Sequence, residues 1–143
     1  SKKENFKIVV LLGDGECQEG SIWECALFAA QNNLDNLIAI IDYNKLQAVG
    51  FLDDIVSLSP FVQKWKSFGW EAIEINGHNF EEIKDGITWA QTIKGKPKVI
   101  IANTIKGKGI SFMENSSLWH NKKLSELELK IALKELNLIE KDL

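Results

Sequence analysis

The stretch that decides the fold is IVVLLGDGECQEG, residues 8–20. It opens with the continuous apolar run Ile8 to Leu12, and a run of this kind ending at Gly13 predicts a buried strand of a parallel sheet. From Ser21 to Asn32 the period becomes helical, with small or apolar residues on one stripe at Ile22, Ala26, Ala29 and Ala30. The opening therefore predicts a strand, a glycine turn and a helix.

The rest of the chain continues this alternation. Leu37 to Ile41 repeats the buried-strand pattern and completes a βαβ unit. After an irregular stretch from Asp42 to Ser59, further elements are predicted: a short helix opened by Pro60 and running through Lys66, a strand at Trp70–Ile75, a helix at Glu81–Ile93 capped by Asn79, a strand at Lys98–Ala102, and a helix from Ser125 to about Asn137 with Ser125 and Glu128 as a capping box. Strands alternating with helices predict a doubly wound, mostly parallel α/β sheet.

Length and charge narrow the possible functions. The 143 residues are 45% hydrophobic, which predicts one domain over residues 1–143. The 17 basic residues are scattered and are outnumbered by 20 acidic ones, which argues against a nucleic acid partner. The first apolar run is too short to span a membrane, and Cys17 and Cys25 fit neither a zinc pair nor a redox motif. We therefore expect a cytoplasmic protein without a membrane partner.

Chemistry is predicted at the glycine turn. Gly13, Asp14, Gly15 and Glu16 follow the first strand, at the sheet edge where ligands of open α/β sheets bind. Glycines let the backbone approach a bulky anion, and free N–H groups at a helix start attract phosphate. Asp14 would repel a diphosphate unless a cation such as Mg²⁺ lay between them. Asn44 follows the next strand and should emerge at the same edge.

The glycine turn also carries a family resemblance. Gly13-Asp-Gly followed about thirty residues later by Asn44 resembles the pattern of thiamine diphosphate enzymes. The continuation through Gln18, Glu19 and Gly20 resembles transketolase more specifically. The resemblance extends from Ile8 to about Leu136, through residues 34–40, 44–47, 75–78, 104–109 and 119–120. It implies a thiamine diphosphate-binding fold, present here as a partial domain.

The resemblance implies roles for particular residues. Asp14 and Asn44 would bind Mg²⁺ (or Ca²⁺ or Mn²⁺) through their side chains, and Leu46 through its carbonyl oxygen. Gly13, Gly15 and Glu16 would surround the diphosphate of the cofactor. The catalytic residues would be Glu19, near a subunit interface where it supports the glutamate that activates the cofactor, and His120, which lines the active site. Lys106 and Lys108 would help to close that site.

The implied reaction transfers a two-carbon ketol unit between sugar phosphates, as in the pentose phosphate pathway. The pyrimidine-binding domain that supplies the activating glutamate is not recognisable in this sequence, so the resemblance implies a pyrimidine-binding partner subunit or domain in an oligomer. The family's segment before the first strand is also missing, and Ala48-Val49 and Asn121 depart from its pattern. Another thiamine diphosphate-dependent synthase and a truncated, non-catalytic assembly module remain as alternatives.

Two further interpretations concern aromatic residues. His78 follows Asn76-Gly77, so it is either a simple turn residue or a functional one. Trp65 and Trp70 are expected in the core or at an interface, because large rings bury much apolar area.

Overall fold

A computed structural model describes residues 6–137, so both ends of the predicted 1–143 domain lie outside the described residues. The elements follow one another as β1 (Ile8–Gly13), α1 (Gly20–Gln31), β2 (Leu37–Tyr43), β3 (Leu46–Gln47), β4 (Gly50–Phe51), α2 (Leu52–Ile55), α3 (Phe61–Ser67), β5 (Glu71–Asn76), α4 (Phe80–Thr92), β6 (Lys98–Asn103) and α5 (Glu126–Glu135). Short 3₁₀ turns at Gly15–Gln18 and Ser117–Trp119 interrupt the loops. Within residues 6–137, every helix is too short or too polar to cross a membrane.

Four parallel strands form the main sheet in the order β1-β2-β6-β5. Side chains of α1 and α3 pack on one face, and α4 packs on the other. The predicted α/β class with a parallel, doubly wound sheet is therefore confirmed. The register aligns Gly13 with Asp42, Asp42 with Ala102, and Asn76 with Asn103, so all four strands end at one edge.

Tryptophans organise the larger core. Trp65 and Trp70 are buried with ring centroids 4.9 Å apart, and Trp23 lies 5.0 Å from Trp65. The indole N–H of Trp70 donates to the carbonyl oxygen of Ala26 at 2.9 Å, which joins α1 to the start of β5. Trp65 and Trp70 were expected in the core or at an interface, and both lie in the core.

The prediction that β1 is buried is wrong for most of its length. Ile8, Val9 and Val10 are exposed, Leu11 is 71% exposed, and only Leu12 is buried. The strand pairs with β2 alone at the sheet edge, while α4 contacts β5 and β6. An apolar run predicts a buried strand. The run itself does not show whether another element of the described chain packs over that strand.

The predicted irregular stretch from Asp42 to Ser59 holds regular structure. Leu46–Gln47 and Gly50–Phe51 pair as an antiparallel hairpin, and a single-turn helix follows. Strands of two residues are too short to show a period in sequence. The predicted caps are confirmed: the side chain of Asn79 accepts from the N–H groups of Glu81 and Glu82, and Ser125 and Glu128 form a capping box.

Candidate functional site

Asp14 lies at the carboxyl end of β1 and joins two strand ends. Its N–H donates to the carbonyl oxygen of Asp42 at 3.2 Å, and its carboxylate accepts the N–H of Lys45 at 2.6 Å. The residue is 3% exposed. Burial raises the pKa of the carboxyl group, with repulsion from Asp42 adding to it, whereas the N–H groups of Lys45 and Gly15 and the charge of Lys106 oppose the rise.

The loop after β2 wraps around this carboxylate. Lys45 adopts a left-handed conformation with φ of 63°, which directs its N–H to Asp14. The two residues that flank Lys45 are bonded to each other, because the side-chain oxygen of Asn44 accepts the N–H of Leu46 at 3.1 Å. The structure thus brings Asp14 into direct contact with the segment that carries Asn44 and Leu46, the residues expected from sequence to share a site with it.

The glycine turn is tighter than a helix start. A 3₁₀ turn at Gly15–Gln18 separates Asp14 from α1, which begins at Gly20. The N–H of Gly13 donates to the carboxylate of Glu16 at 2.6 Å, so a negatively charged oxygen lies against this glycine. A Cβ at Gly15 would approach the side-chain nitrogen of Gln47 to 3.1 Å. The Gly13 N–H is therefore occupied by Glu16, and the turn leaves little room for a side chain at position 15.

Two glutamines support this turn. Gln47 donates to the side-chain oxygen of Gln18 at 3.0 Å, and Gln18 donates to the carbonyl oxygen of Val56 at 2.8 Å. Gln18 belongs to the family pattern, but no role is predicted from sequence for either glutamine. Two neutral amides that are far apart in the chain produce no periodicity or spacing in the sequence from which their contact could be predicted. The glutamines fix the hairpin loop against the glycine turn.

The end of β6 contacts the same edge. The hydroxyl of Thr104 donates to the carboxylate of Asp42, and its N–H donates to the carbonyl oxygen of Tyr43. Lys106 follows two residues later, and its charge is the weakest of the influences that oppose the raised pKa of Asp14. Lys108 forms an ion pair with Glu114 at 3.3 Å instead. Of the two predicted loop lysines, Lys108 is thus paired with a carboxylate of its own loop.

Glu19 and His120, the two predicted catalytic residues, are both exposed. Glu19 is exposed at the N-cap of α1, where its carboxylate accepts the Ser21 hydroxyl at 3.5 Å. His120 is exposed after the 3₁₀ turn that carries Trp119. Among the described residues, no hydrogen bond links either side chain to Asp14, so their catalytic roles stay predictions.

The available donors fit a hard cation. One buried carboxylate, one amide oxygen and backbone carbonyl groups are oxygen ligands of the kind that Mg²⁺ binds together with substrate phosphates. Residues 6–137 contain no cluster of three His, Cys, Asp or Glu side chains arranged to hold a metal. A site built from one carboxylate, one amide and one carbonyl would not form such a cluster. The donor set therefore suits a metal that is shared with a bound phosphate.

The protein is a doubly wound α/β protein, and the buried acid Asp14 lies at the edge where the strands of its main sheet end. The sequence model described as "Transketolase, thiamine diphosphate binding domain" matches residues 2–141. The chain belongs to this transketolase family.

Curated relatives include proteins named as transketolase subunits. The chain is 48% identical over 129 residues to the 6-deoxy-6-sulfo-D-fructose transketolase subunit SqwG of Clostridium sp. (strain MSTE9), covering 90% of this chain and 47% of that protein. It is 51% identical over 130 residues to an apulose-4-phosphate transketolase subunit of Actinobacillus succinogenes, covering 91% and 47%. The chain thus spans about half the length of these relatives.

A solved structure agrees with the fold. The crystal structure of transketolase from Campylobacter jejuni superposes with a TM-score of 0.87 at 33% identity, covering 93% of this chain and 21% of that one. The predicted family is therefore confirmed by both sequence and structure.

Proposed function

We propose that this chain supplies the metal- and diphosphate-binding part of a thiamine diphosphate site in a transketolase-like transferase. Asp14 and Asn44, with the carbonyl oxygen of Leu46, would hold Mg²⁺, or Ca²⁺ or Mn²⁺ in its place. Gly13, Gly15 and Glu16 would surround the diphosphate. When bound, thiamine diphosphate supplies the chemistry that moves a two-carbon ketol unit from a ketose phosphate to an aldose acceptor.

One observation carries the proposal: the buried Asp14 carboxylate touches the loop that holds Asn44 and Leu46. Burial favours the neutral form of this acid, so an ionised Asp14 needs positive charge nearby. A divalent cation would supply that charge and would also bridge to the phosphate oxygens. Lys106 would add a second positive charge at the same edge.

The remaining predicted residues would act around this centre. We assign His120 to the substrate end of the diphosphate, where Lys106 and Lys108 would help to close the site. Glu19, exposed at the start of α1, would face a pyrimidine-binding subunit or domain that completes the cofactor site. Two relatives are named as transketolase subunits, which supports a split oligomeric enzyme.

Localisation, domain extent and substrates complete the proposal. We place the enzyme in the cytoplasm and regard the chain as part of a single diphosphate-binding domain. Its substrates would be ketose and aldose phosphates of carbohydrate metabolism. The names of the two relatives specify 6-deoxy-6-sulfo-D-fructose and apulose-4-phosphate, which favours a less common sugar within the same reaction class.

The test is calorimetric titration of thiamine diphosphate with Mg²⁺ into the chain assembled with a pyrimidine-binding transketolase subunit. Asp14→Asn keeps an acceptor for the Lys45 N–H but removes the charge, so affinity should fall at least about a hundredfold, beyond the effect of outer-shell changes. Asn44→Ala should weaken binding less, because it removes a neutral ligand. Removing Mg²⁺ should abolish wild-type binding.

Asp85→Ala is the matched control, since Asp85 is an exposed carboxylate on α4, and it should bind like the wild type. Circular dichroism would check that each variant is folded. Unchanged, magnesium-dependent affinity in Asp14→Asn would contradict the proposed metal site. Ketol transfer by the chain without the second subunit would contradict the proposed partner.

A further inference from the structure

The turn Asn76–His78 between β5 and α4 is bonded to the residues that follow β6. The N–H of Gly77 donates to the carbonyl oxygen of Asn103 at 2.7 Å. The Asn76 side chain accepts the N–H of His78 at 3.0 Å and so fixes the turn. The imidazole Nε2 of His78 then accepts the N–H of Ile105 at 2.8 Å. His78 therefore makes a direct bond to the segment that carries Lys106.

Glycine at position 77 makes this bond possible. A Cβ there would lie 2.5 Å from the Thr104 methyl and 3.1 Å from the Asn103 carbonyl oxygen. The backbone of the turn therefore lies directly against the end of β6. This close approach brings the imidazole within reach of Ile105, across 27 residues of sequence.

Residues 105–115, here called the Lys106 loop, form one compact unit. The N–H of Asn115 donates to the carbonyl oxygen of Lys106 at 3.0 Å. Gly107 packs so closely that a Cβ would lie 2.6 Å from the Met113 carbonyl oxygen. At its far side, the Ser111 N–H donates to Glu135 of α5 at 2.6 Å. Because the loop is closed on itself, its orientation depends on where it is anchored.

The start of the Lys106 loop is held between the ends of two strands. Thr104 bonds to Asp42 and Tyr43 on the β2 side, and Ile105 bonds to His78 on the β5 side. Lys106 comes next in the chain, two residues after the Thr104 hydroxyl that bonds to Asp42 at this edge. Loss of the His78 bond would leave Lys106 held by Thr104 alone on this side.

We propose that His78 is a positioning residue: by accepting the Ile105 N–H, it holds the Lys106 ammonium group toward the edge where Asp14 lies. The role rests on the proposed function, in which a diphosphate binds at that edge. A lysine held in place beside a phosphate loses less side-chain freedom on binding than one on a free loop. The simple alternative is that His78 only completes a turn.

The first measurement is amide hydrogen exchange of Ile105 by NMR on the chain itself. His78→Gln can place an oxygen acceptor near the position of Nε2, whereas His78→Phe keeps a flat ring but has no acceptor. Exchange at Ile105 should be about two- to fivefold faster in His78→Phe, as expected for one partly exposed hydrogen bond. His78→Gln should stay near the wild-type rate. Equal rates in all three proteins would overturn the proposal.

The second measurement is magnesium-dependent thiamine diphosphate affinity of the assembled enzyme. His78→Phe should raise Kd about two- to fivefold, and His78→Gln should restore it. Lys106→Met removes the charge, so adding His78→Phe to it should weaken binding no further. Additive losses, or no rescue by glutamine, would overturn the positioning role while leaving the proposed function intact. Failure of the wild type to bind the cofactor would overturn both.

Discussion

Two glycines against the same sheet should respond to alanine with opposite signs. A Cβ at Gly77 would lie 2.5 Å from the Thr104 methyl and 3.1 Å from both the Ala102 Cβ and the Asn103 carbonyl oxygen. Real Cβ atoms almost never approach so closely, so the turn or the end of β6 must move. At Gly86 in α4, a Cβ would meet side-chain atoms of Ile73 and Ile100 at 3.5–3.7 Å, which is ordinary contact.

The expected magnitudes follow from these distances. Forcing a methyl group into a filled space costs about 1–3 kcal/mol, and this sets the penalty for Gly77→Ala. Alanine is favoured over glycine inside a helix by about 1 kcal/mol, so Gly86→Ala should stabilise by a similar amount. The two variants should therefore differ by about 2–4 kcal/mol in free energy of unfolding.

Urea unfolding followed by tryptophan fluorescence would measure this difference, since Trp23, Trp65 and Trp70 form one aromatic cluster. A second change sharpens the test. Thr104→Ser removes the closest methyl group but keeps the hydroxyl that bonds to Asp42, so it should recover part of the stability lost in Gly77→Ala. Equal stability of the two alanine variants, or no rescue by serine, would refute the claim that the turn lies in contact with β6.

Two predictions concern titrating groups. Burial raises the pKa of the Cys17 thiol to about 12, with Asp14 and Glu16 adding to the rise, whereas Cys25 is exposed; iodoacetamide at pH 8 should therefore modify Cys25 first, and mass spectrometry showing faster labelling of Cys17 would contradict its burial. The Ser125 N–H and Lys122 lower the pKa of Glu128 from 4.5 to about 2, so the capping box should contribute stability above pH 4.5 and lose it as the pH falls toward 2. Ser125→Ala removes the hydroxyl bond to the Glu128 carboxylate but keeps the backbone N–H bond, so NMR titration should show the pKa of Glu128 rising only part of the way toward 4.5; an unchanged value would exclude the hydroxyl bond as a cause.

Local sequence signals predicted much of the fold because their causes are local. Asn79 and Ser125 cap helices through hydrogen bonds to residues two or three positions away, and the sequence places those partners at fixed offsets. In the same way, the apolar run of β2 predicted a buried strand, and the run of β6 predicted a strand. The run of β1 is just as apolar, but its exposure depends on its place at the sheet edge, which no local pattern encodes.

The contacts of the candidate site can also be separated into those that the sequence predicts and those that it does not. That Asp14 and Asn44 approach one edge follows from parallel strands whose ends coincide, and the sequence predicted it. That Asp14 bonds to Lys45 follows from a left-handed residue in a loop of unpredicted structure. The contact between His78 and Ile105 was not predicted either, because the local pattern at His78 matches that of an ordinary turn.

Register decides which of these edge residues meet. Gly13 lies opposite Asp42, and Asn76 lies opposite Asn103, so the loops after four strands begin at the same level. A slip of one residue between β5 and β6 would turn their side chains to the opposite faces and separate Gly77 from the Asn103 carbonyl. Packing of Ala90 on α4 in one cluster with Ile100 on β6 opposes that slip. The apolar face of α4 therefore helps to hold the Asn76–His78 turn against the end of β6, and Glu82 of the same helix accepts the Asn76 N–H at 2.7 Å.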